Sequence, residues 1–115
     1  MVKEILLSYK GKKINLELKE MKGPFKKAFG LMFSSRENAH ALLFSFKKPV
    51  DLMIHSFFVF FDFIGIWLDE KNKIIDIQRI KPWKFGIRPK TKYTHLIEIP
   101  INGKYKNLVN VPDED

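Results

Sequence analysis

The sequence predicts a small all-β protein, a single-domain β-barrel or sandwich-like fold with one short helix, and three observations lead to this class. Aromatic residues make up 14% of the chain and include 11 phenylalanines, and large rings favour the pleated, half-buried surface of a sheet. Short apolar segments alternate with polar turns, which is typical of barrels and sandwiches. The length of 115 residues suits one domain with its own core.

The N-terminal third of the chain predicts a hairpin followed by a helix. Residues 2–9 and 14–18 have strand-like patterns, and Gly11 between them accepts the positive φ of a tight turn. Further along, apolar residues recur at the three- and four-residue spacing of a helix. We therefore expect a short helix over residues 25–33.

The middle of the chain is the most apolar part and predicts buried strands. Residues 41–46 form one predicted strand, and a turn built around a proline follows at residues 47–51. Residues 52–61 and 63–68 are continuous apolar runs, which indicate burial on both faces. They predict either two strands or one strand with a bend.

The C-terminal part predicts a hairpin, a long loop and a last strand. Residues 69–73 are polar enough for a hairpin turn, and residues 74–80 alternate as its second strand. Prolines and a glycine exclude regular structure from residues 81–91. Residues 93–99 form another predicted strand, and the acidic tail at 112–115 is expected to fray.

Composition predicts a cytoplasmic protein. The chain has no cysteine, which excludes disulfides and fits a reducing compartment. Residues 1–10 lack the long apolar core and the cleavage site of a signal peptide. The apolar run at 52–68 is short for a membrane span and contains His55, Ser56 and Asp62. We expect no membrane span, and a monomer or weak dimer.

The net charge of +8 and the pI near 9.7 permit an anionic partner such as RNA. The lysines occur in pairs at predicted turns, which favours an ordinary solvated surface over an anion-binding face. Abundant lysine and isoleucine with a single glutamine also resemble the composition of a thermophile's protein.

No residue pattern predicts catalysis, a metal site or a cofactor. His40, His55 and His95 stand far apart without a carboxylate at a ligand-like offset. No serine lies in a Gly-x-Ser-x-Gly turn. A small hydrolase or lyase that uses Asp62 with His55 is therefore the third of three functional hypotheses.

The run Lys81-Pro82-Trp83-Lys84-Phe85-Gly86-Ile87-Arg88-Pro89-Lys90 carries the leading hypothesis. Cations interleaved with aromatic rings can hold an anion or stack a base. The same run also fits a loop whose tryptophan caps the barrel while its lysines stay in water. We expect a non-catalytic binding domain for a small or anionic ligand or a protein partner, where residues 53–56 meet this loop. The candidate ligand-binding residues are His55, Ser56, Lys81, Trp83, Lys84 and Arg88. RNA binding through the basic surface is the alternative.

Five blocks, in order, resemble the "domain of unknown function 192" family. They are Phe29-Gly30-Leu31-Met32-Phe33, Ala41-Leu42-Leu43-Phe44-Ser45-Phe46, His55-Ser56-Phe57-Phe58 through Trp67-Leu68-Asp69, Lys81-Pro82-Trp83 and Leu96-Ile97-Glu98-Ile99-Pro100. The resemblance covers most of the chain. It implies a small all-β fold with one short helix and no known enzyme activity.

Departures from the family pattern affect its polar residues. The family's arginine after Met-Phe falls on Ser34. In a gapless alignment, which we prefer because residues 55 to 69 then match without a break, the family's aspartate falls on Ile64. A two-residue insertion would place it on Asp62 instead. The gapless alignment implies that the family's polar cluster is largely absent here, which favours an apolar pocket or a partner surface.

Overall fold

The protein is all-β, as the sequence predicts, and its six strands form one curled half-barrel sheet. The computed structural model describes residues 2–9, 11–21, 31–32 and 34–105. The strands are β1 (Val2–Tyr9), β2 (Lys12–Glu20), β3 (Leu42–Val50), β4 (Phe63–Leu68), β5 (Ile74–Ile80) and β6 (Tyr93–Pro100). The predicted helix at 25–33 lies outside the described residues except for Leu31 and Met32, which form a turn. The acidic tail also lies outside them.

The strand order in the sheet is β1-β2-β3-β6-β4-β5. All neighbours are antiparallel except β2 and β3, which pair in parallel over only Lys19 with Leu42 and Glu20 with Leu43. The predicted hairpins form, with Gly11 at φ +78° in the first turn. The sheet curls until its edge strands β1 and β5 approach each other. This curl gives the sheet an enclosed inner face and an outer face.

The inner face is filled almost entirely by aliphatic side chains. Because side chains of a strand alternate between faces, alternate residues of the strands point inward. They include Leu16 and Leu18 of β2, Ile66 of β4 and Ile97 and Ile99 of β6, each at most 1% exposed. This region is the main aliphatic core.

The outer face is covered by loops and is rich in rings. Phe44, Phe63, Trp67 and Tyr93 form a second buried cluster there. The segment between β3 and β4 contributes Val59 and Phe61 to the same cluster. Irregular loops therefore cover the outer face, whereas the regular β1–β2 hairpin covers the inner face.

The predicted turn at residues 47–51 is wrong, because β3 continues to Val50. Beyond Leu43, β3 has no register partner in β2, and its register with β6 shifts between Ser45 and Val50. A proline lacks the N–H that a regular ladder needs, so it is tolerated where pairing is one-sided and irregular. Pro49 occupies such a position.

The predicted strand at residues 52–61 is also wrong. Its pairing is a single antiparallel bridge between Ile54 and Ile87, and Phe58 interrupts extended backbone with φ +60°. The backbone groups of this segment bond to the loop between β5 and β6 rather than to the sheet. The second apolar run, by contrast, forms β4 as predicted.

None of the described residues belongs to a helix long and apolar enough to cross a membrane.

Candidate binding surface and pocket

Ser56 joins the β3–β4 loop to the β5–β6 loop. It is fully buried, and its Oγ donates to the Lys81 carbonyl at 2.5 Å and accepts from the Lys84 N–H at 2.8 Å. The Ser56 N–H donates to the Lys84 carbonyl at 2.7 Å, and its carbonyl accepts from the Trp83 N–H at 2.8 Å. One small residue therefore fixes the conformation of the second loop.

A second junction lies two residues earlier. The Ile54 N–H donates to the Ile87 carbonyl at 2.8 Å, and the Ile87 N–H donates back to the Ile54 carbonyl at 3.1 Å. The structure thus brings together residues 53–56 and the 81–90 loop, as the sequence predicts, although the first segment is not a strand.

Five rings from the two loops form an aromatic patch, which consists of Phe57, Phe58, Phe60, Trp83 and Phe85. Trp83 is its centre, with ring centroids 4.9 Å from Phe58, 5.9 Å from Phe60 and 6.4 Å from Phe57. Phe57 also stacks on Phe85 at 6.0 Å. Trp83 is 48% exposed, Phe60 61% and Phe85 78%. The rings contact one another and still present a large apolar surface to water.

Backbone strain is concentrated in this patch. Phe58 has φ +60° and Trp83 has φ +63°. Bulky residues rarely adopt this left-handed region, which costs on the order of 1–2 kcal/mol each. The hydrogen bond from the Trp83 N–H to the Ser56 carbonyl holds Trp83 in this left-handed conformation. In this strained backbone, the rings of Phe58 and Trp83 lie edge to face at the surface.

The predicted cations lie on the same loop as Trp83 and Phe85. Lys81, Lys84 and Arg88 are all exposed on the same loop. His55 is exposed as well, with its ring 5.3 Å from Phe57 and its Nδ1 accepting the Phe57 N–H at 3.2 Å. Of the predicted ligand-binding residues, Ser56 alone is buried, and its hydroxyl is occupied by backbone groups.

Asp62 lies at the start of β4 and pairs with Arg79. Its Oδ2 is 3.0 Å from Arg79 Nε, and about a quarter of each side chain is exposed (27% and 28%). No hydrogen bond between Asp62 and His55 occurs among the described residues, so a catalytic pair of these two stays a prediction. Ile64, on which the preferred gapless alignment places the family's aspartate, points into the aliphatic core. The described residues contain no group of three or more histidines and carboxylates that could hold a metal ion.

A pocket of about 360 Å³ opens on the outer face beside the aromatic patch, and we call it the outer pocket. Its walls include Phe44, Phe46, Tyr93 and Leu96, and His55 lies on its lining as well as against the patch. One carboxyl group, that of Glu98, also lines this apolar space and is 7% exposed. As far as the described residues line it, the outer pocket is therefore an apolar cavity with one buried acid.

Burial raises the pKa of Glu98 from 4.5 to about 8, because the apolar surroundings disfavour its charged form. Burial, followed by the nearby Glu98 charge, raises the pKa of Tyr93 to about 12. The Tyr93 hydroxyl donates to the Leu52 carbonyl at 2.9 Å, which ties the β3–β4 loop to the pocket wall. Among the described residues, no hydrogen bond or ion pair reaches the Glu98 carboxyl.

Sequence reasoning missed Glu98. The sequence predicts a strand over residues 93–99, and an acid in a strand ordinarily lies on the face that meets water. The strand is instead central, between β3 and β4, and both its faces are covered. An acid within an otherwise apolar run, followed by proline, was the available signal.

Fold and site together define a small all-β half-barrel protein that carries an exposed aromatic patch and an apolar pocket on the same face. The family model DUF192, "Uncharacterized ACR", matches residues 5–111. The chain belongs to this family, which confirms the resemblance found in the sequence.

Relatives and solved structures agree with this assignment. A UPF0127 protein of Pyrococcus abyssi is 32% identical over 91 residues, covering 77% of this chain and 75% of that protein. A UPF0127 protein of Pyrococcus horikoshii is 32% identical over 75 residues, covering 65% of this chain and 64% of the relative's length, just under two thirds. Both come from thermophilic archaea, which agrees with the thermophile-like composition. A crystal structure of a protein of unknown function from Novosphingobium aromaticivorans superposes with a TM-score of 0.76 at 13% identity, covering 97% of this chain and 81% of that one. That likeness concerns the fold alone.

Proposed function

We propose that this protein is a binding module that uses the aromatic patch to hold an acidic, partly apolar segment of a protein partner. The exposed patch is the observation that carries this proposal. Contiguous apolar surface rimmed by polar groups marks interaction sites, since it is costly to leave in water. Trp and Arg are also the residues that most often dominate binding energy at interfaces.

The arrangement of the rings favours a protein segment over a stacked base. The rings of Phe58 and Phe60 meet Trp83 edge to face, at interplanar angles of 61° and 68°. These three rings make a broad, uneven surface, whereas Phe57 and Phe85 stack on each other at 20°. Aliphatic and aromatic side chains of a partner fit such a surface by shape. Lys84 and Arg88 at its border would meet carboxylates of the partner.

The rigidity of the loops also supports a binding role. Binding is weakened when loops must be ordered in the complex. Here the hydrogen bonds of Ser56 and the bridge between Ile54 and Ile87 order them beforehand. The strain at Phe58 and Trp83 is consistent with a surface kept in one conformation for a purpose.

Selection from a random displayed-peptide library tests the proposal. We expect enriched peptides that combine large apolar side chains with Asp or Glu, and at least tenfold weaker binding after Trp83→Ala or Lys84→Glu. Leu6→Ala is the matched control for an exposed apolar residue, because Leu6 is 61% exposed on β1, away from the patch. Peptides that bind the Trp83→Ala and wild-type proteins equally would refute the proposal.

Single-stranded RNA is the second candidate partner. The net charge of +8 and the neighbouring Trp83, Lys84 and Phe85 favour RNA. Proteins that bind single-stranded nucleic acids combine cations, which contact the phosphates, with aromatic rings, on which the bases stack. Anisotropy of a labelled RNA oligonucleotide would show binding that weakens steeply with salt, as phosphate contacts release counterions. Absence of RNA binding at low salt, or binding that does not change with salt, would exclude it.

The hydrolase or lyase hypothesis stays third. A substrate screen that compares the wild type with Asp62→Asn would address it.

A further inference from the structure

A second site, the outer pocket, lies beside the patch, and it does not depend on the proposed partner. We infer that the outer pocket binds a small amphipathic cation, an apolar body with an amine or ammonium head, and that the Glu98 carboxylate pairs with the head. Three features of the molecule support this inference, namely the cavity, the buried acid and the charges of the lining.

The outer pocket has the size of a small-molecule site. Its volume of about 360 Å³ lies in the range of ligand pockets, at their lower end. It corresponds to roughly twelve water volumes, at ~30 Å³ each, which is enough for an organic molecule on the order of ten heavy atoms. Phe44, Phe46, Phe63 and Leu96 surround that space with carbon, so the body of the ligand is apolar.

The charges of the lining select the sign of the head group. The chain contains 21 lysines and arginines, yet none of the described residues that line the outer pocket is a lysine or an arginine. Among the described lining residues, an anion would meet no lysine or arginine and one acid. A cation would meet a carboxylate and the faces of aromatic rings, both of which attract positive charge.

Glu98 is placed as a ligand group rather than a structural one. Buried acids are costly unless they are paired or hydrogen-bonded, and Glu98, at 7% exposed, has neither kind of partner among the described residues. Its neighbours across the sheet are Leu42 and Gly65, which offer no side-chain donor. The cavity in front of the carboxyl is where a partner can come from.

Binding of such a cation is coupled to release of the Glu98 proton. In the empty pocket the raised pKa, about 8, keeps the acid largely protonated at neutral pH. A bound ammonium head stabilises the carboxylate, so the proton leaves to solvent as the ion pair forms. The other titratable groups on the described lining are His55 and Tyr93. Tyr93 stays neutral across this range because its pKa is about 12.

Three matched probes test the inference on the intact protein. They are 2-phenylethylamine, its neutral isostere 2-phenylethanol and the anion 3-phenylpropanoate. We expect amide NMR shifts near Leu96 and Phe44 with the amine, at least tenfold weaker binding of the alcohol and none of the anion. Affinity for the amine should rise about tenfold per pH unit from about pH 6 to 8 and then level off. Equal binding of amine and alcohol would overturn the inference.

A variant and a direct titration separate the carboxyl from its surroundings. In Glu98→Gln, the amine should lose its advantage over the alcohol and the pH dependence should disappear. If that variant does not fold, the ¹³C signal of the Glu98 carboxyl in the wild type decides. Saturating amine must lower its titration midpoint, and the alcohol must not. A midpoint near 4.5 in the free protein, or one that the amine leaves unchanged, would refute the assignment.

Discussion

The two faces of the sheet are built from different kinds of side chain and are covered in different ways. The inner face is aliphatic, sealed by the regular β1–β2 hairpin, and encloses no polar side chain among its clustered residues. The outer face is aromatic, covered by irregular loops, and contains the outer pocket with Glu98. Leu96 and Ile97 are adjacent on β6, but the Leu96 side chain packs on the outer face and the Ile97 side chain packs on the inner face.

This difference indicates a division of labour. Close packing of branched aliphatic residues gives stability and leaves no room for a ligand. Large rings packed against loops leave a cavity, and the buried acid and strained backbone are destabilising features retained on that side. The outer face therefore carries the candidate sites and lowers the stability of the fold, and the close packing of the inner face compensates for that loss.

The largest expected effect is the pH dependence of stability caused by Glu98. Its pKa is raised from 4.5 to about 8 on folding, so the folded protein binds more protons than the unfolded chain between those values. The free energy of unfolding should therefore fall as pH rises through this window, by on the order of 5 kcal/mol. Urea unfolding at a series of pH values should show this slope in the wild type.

The same measurement on Glu98→Gln should show the slope abolished and the protein more stable than the wild type above pH 8. Glu17→Gln is the control, because Glu17 is exposed on β2. An unchanged slope in Glu98→Gln would mean that the outer face hides no unpaired acid, and the contrast between the faces would fail.

A paired truncation on β6 compares the packing of the two faces directly. Ile97→Ala, at 0% exposed in the aliphatic core, should cost about 3–4 kcal/mol, because the rigid surroundings leave a cavity. Leu96→Ala, at 3% exposed, removes a wall of a cavity that already exists and should cost about 2 kcal/mol. Chemical denaturation measures both, and equal losses would contradict the proposed difference.

The smallest effect on stability is expected at Ser56. Ser56→Ala removes two hydrogen bonds, but Lys81 and Lys84 are exposed residues whose backbone groups can turn to water, so the loss should be about 1–2 kcal/mol. Amide exchange should speed up in residues 81–87 and not in β4. Ser8→Ala, on the exposed side of β1, should change neither quantity. Uniform faster exchange throughout the sheet would show that the loops are not a separate unit.

Local chemistry explains which parts of the fold were predictable. The turn after β4 was predicted from a run of polar residues, and it is stabilised locally, since the Asp69 Oδ1 accepts from the Lys71 and Lys73 N–H groups at 2.8 and 2.9 Å. The alternation of β2 and the glycine of the first turn are equally local. These elements are determined by residues near one another in sequence, so the sequence alone identifies them.

Non-local contacts explain what was missed. Residues 52–61 are as apolar as a buried strand, but their partner is a loop nearly thirty residues away, and no glycine or proline marks the departure from the sheet. The Lys81–Lys90 loop was predicted from its composition. The aromatic patch required Phe58 and Phe60 to be exposed beside it, and the outer pocket required the position of Glu98 in the middle of the sheet. Neither follows from periodicity.

The short parallel junction between β2 and β3 has a consequence for motion. The β1–β2 hairpin joins the remaining sheet through two register pairs, with the Lys19 N–H bonded to the Ala41 carbonyl and the Met21 N–H to the Leu43 carbonyl. Few hydrogen bonds must break for the hairpin to swing away as one cooperative unit, and the aliphatic contacts of Leu16 and Leu18 are the main resistance. Opening of the hairpin would expose an unpaired edge of β3, and the hairpin of a second molecule could pair with that edge. Exchange of hairpins between two copies would therefore begin at the junction between β2 and β3.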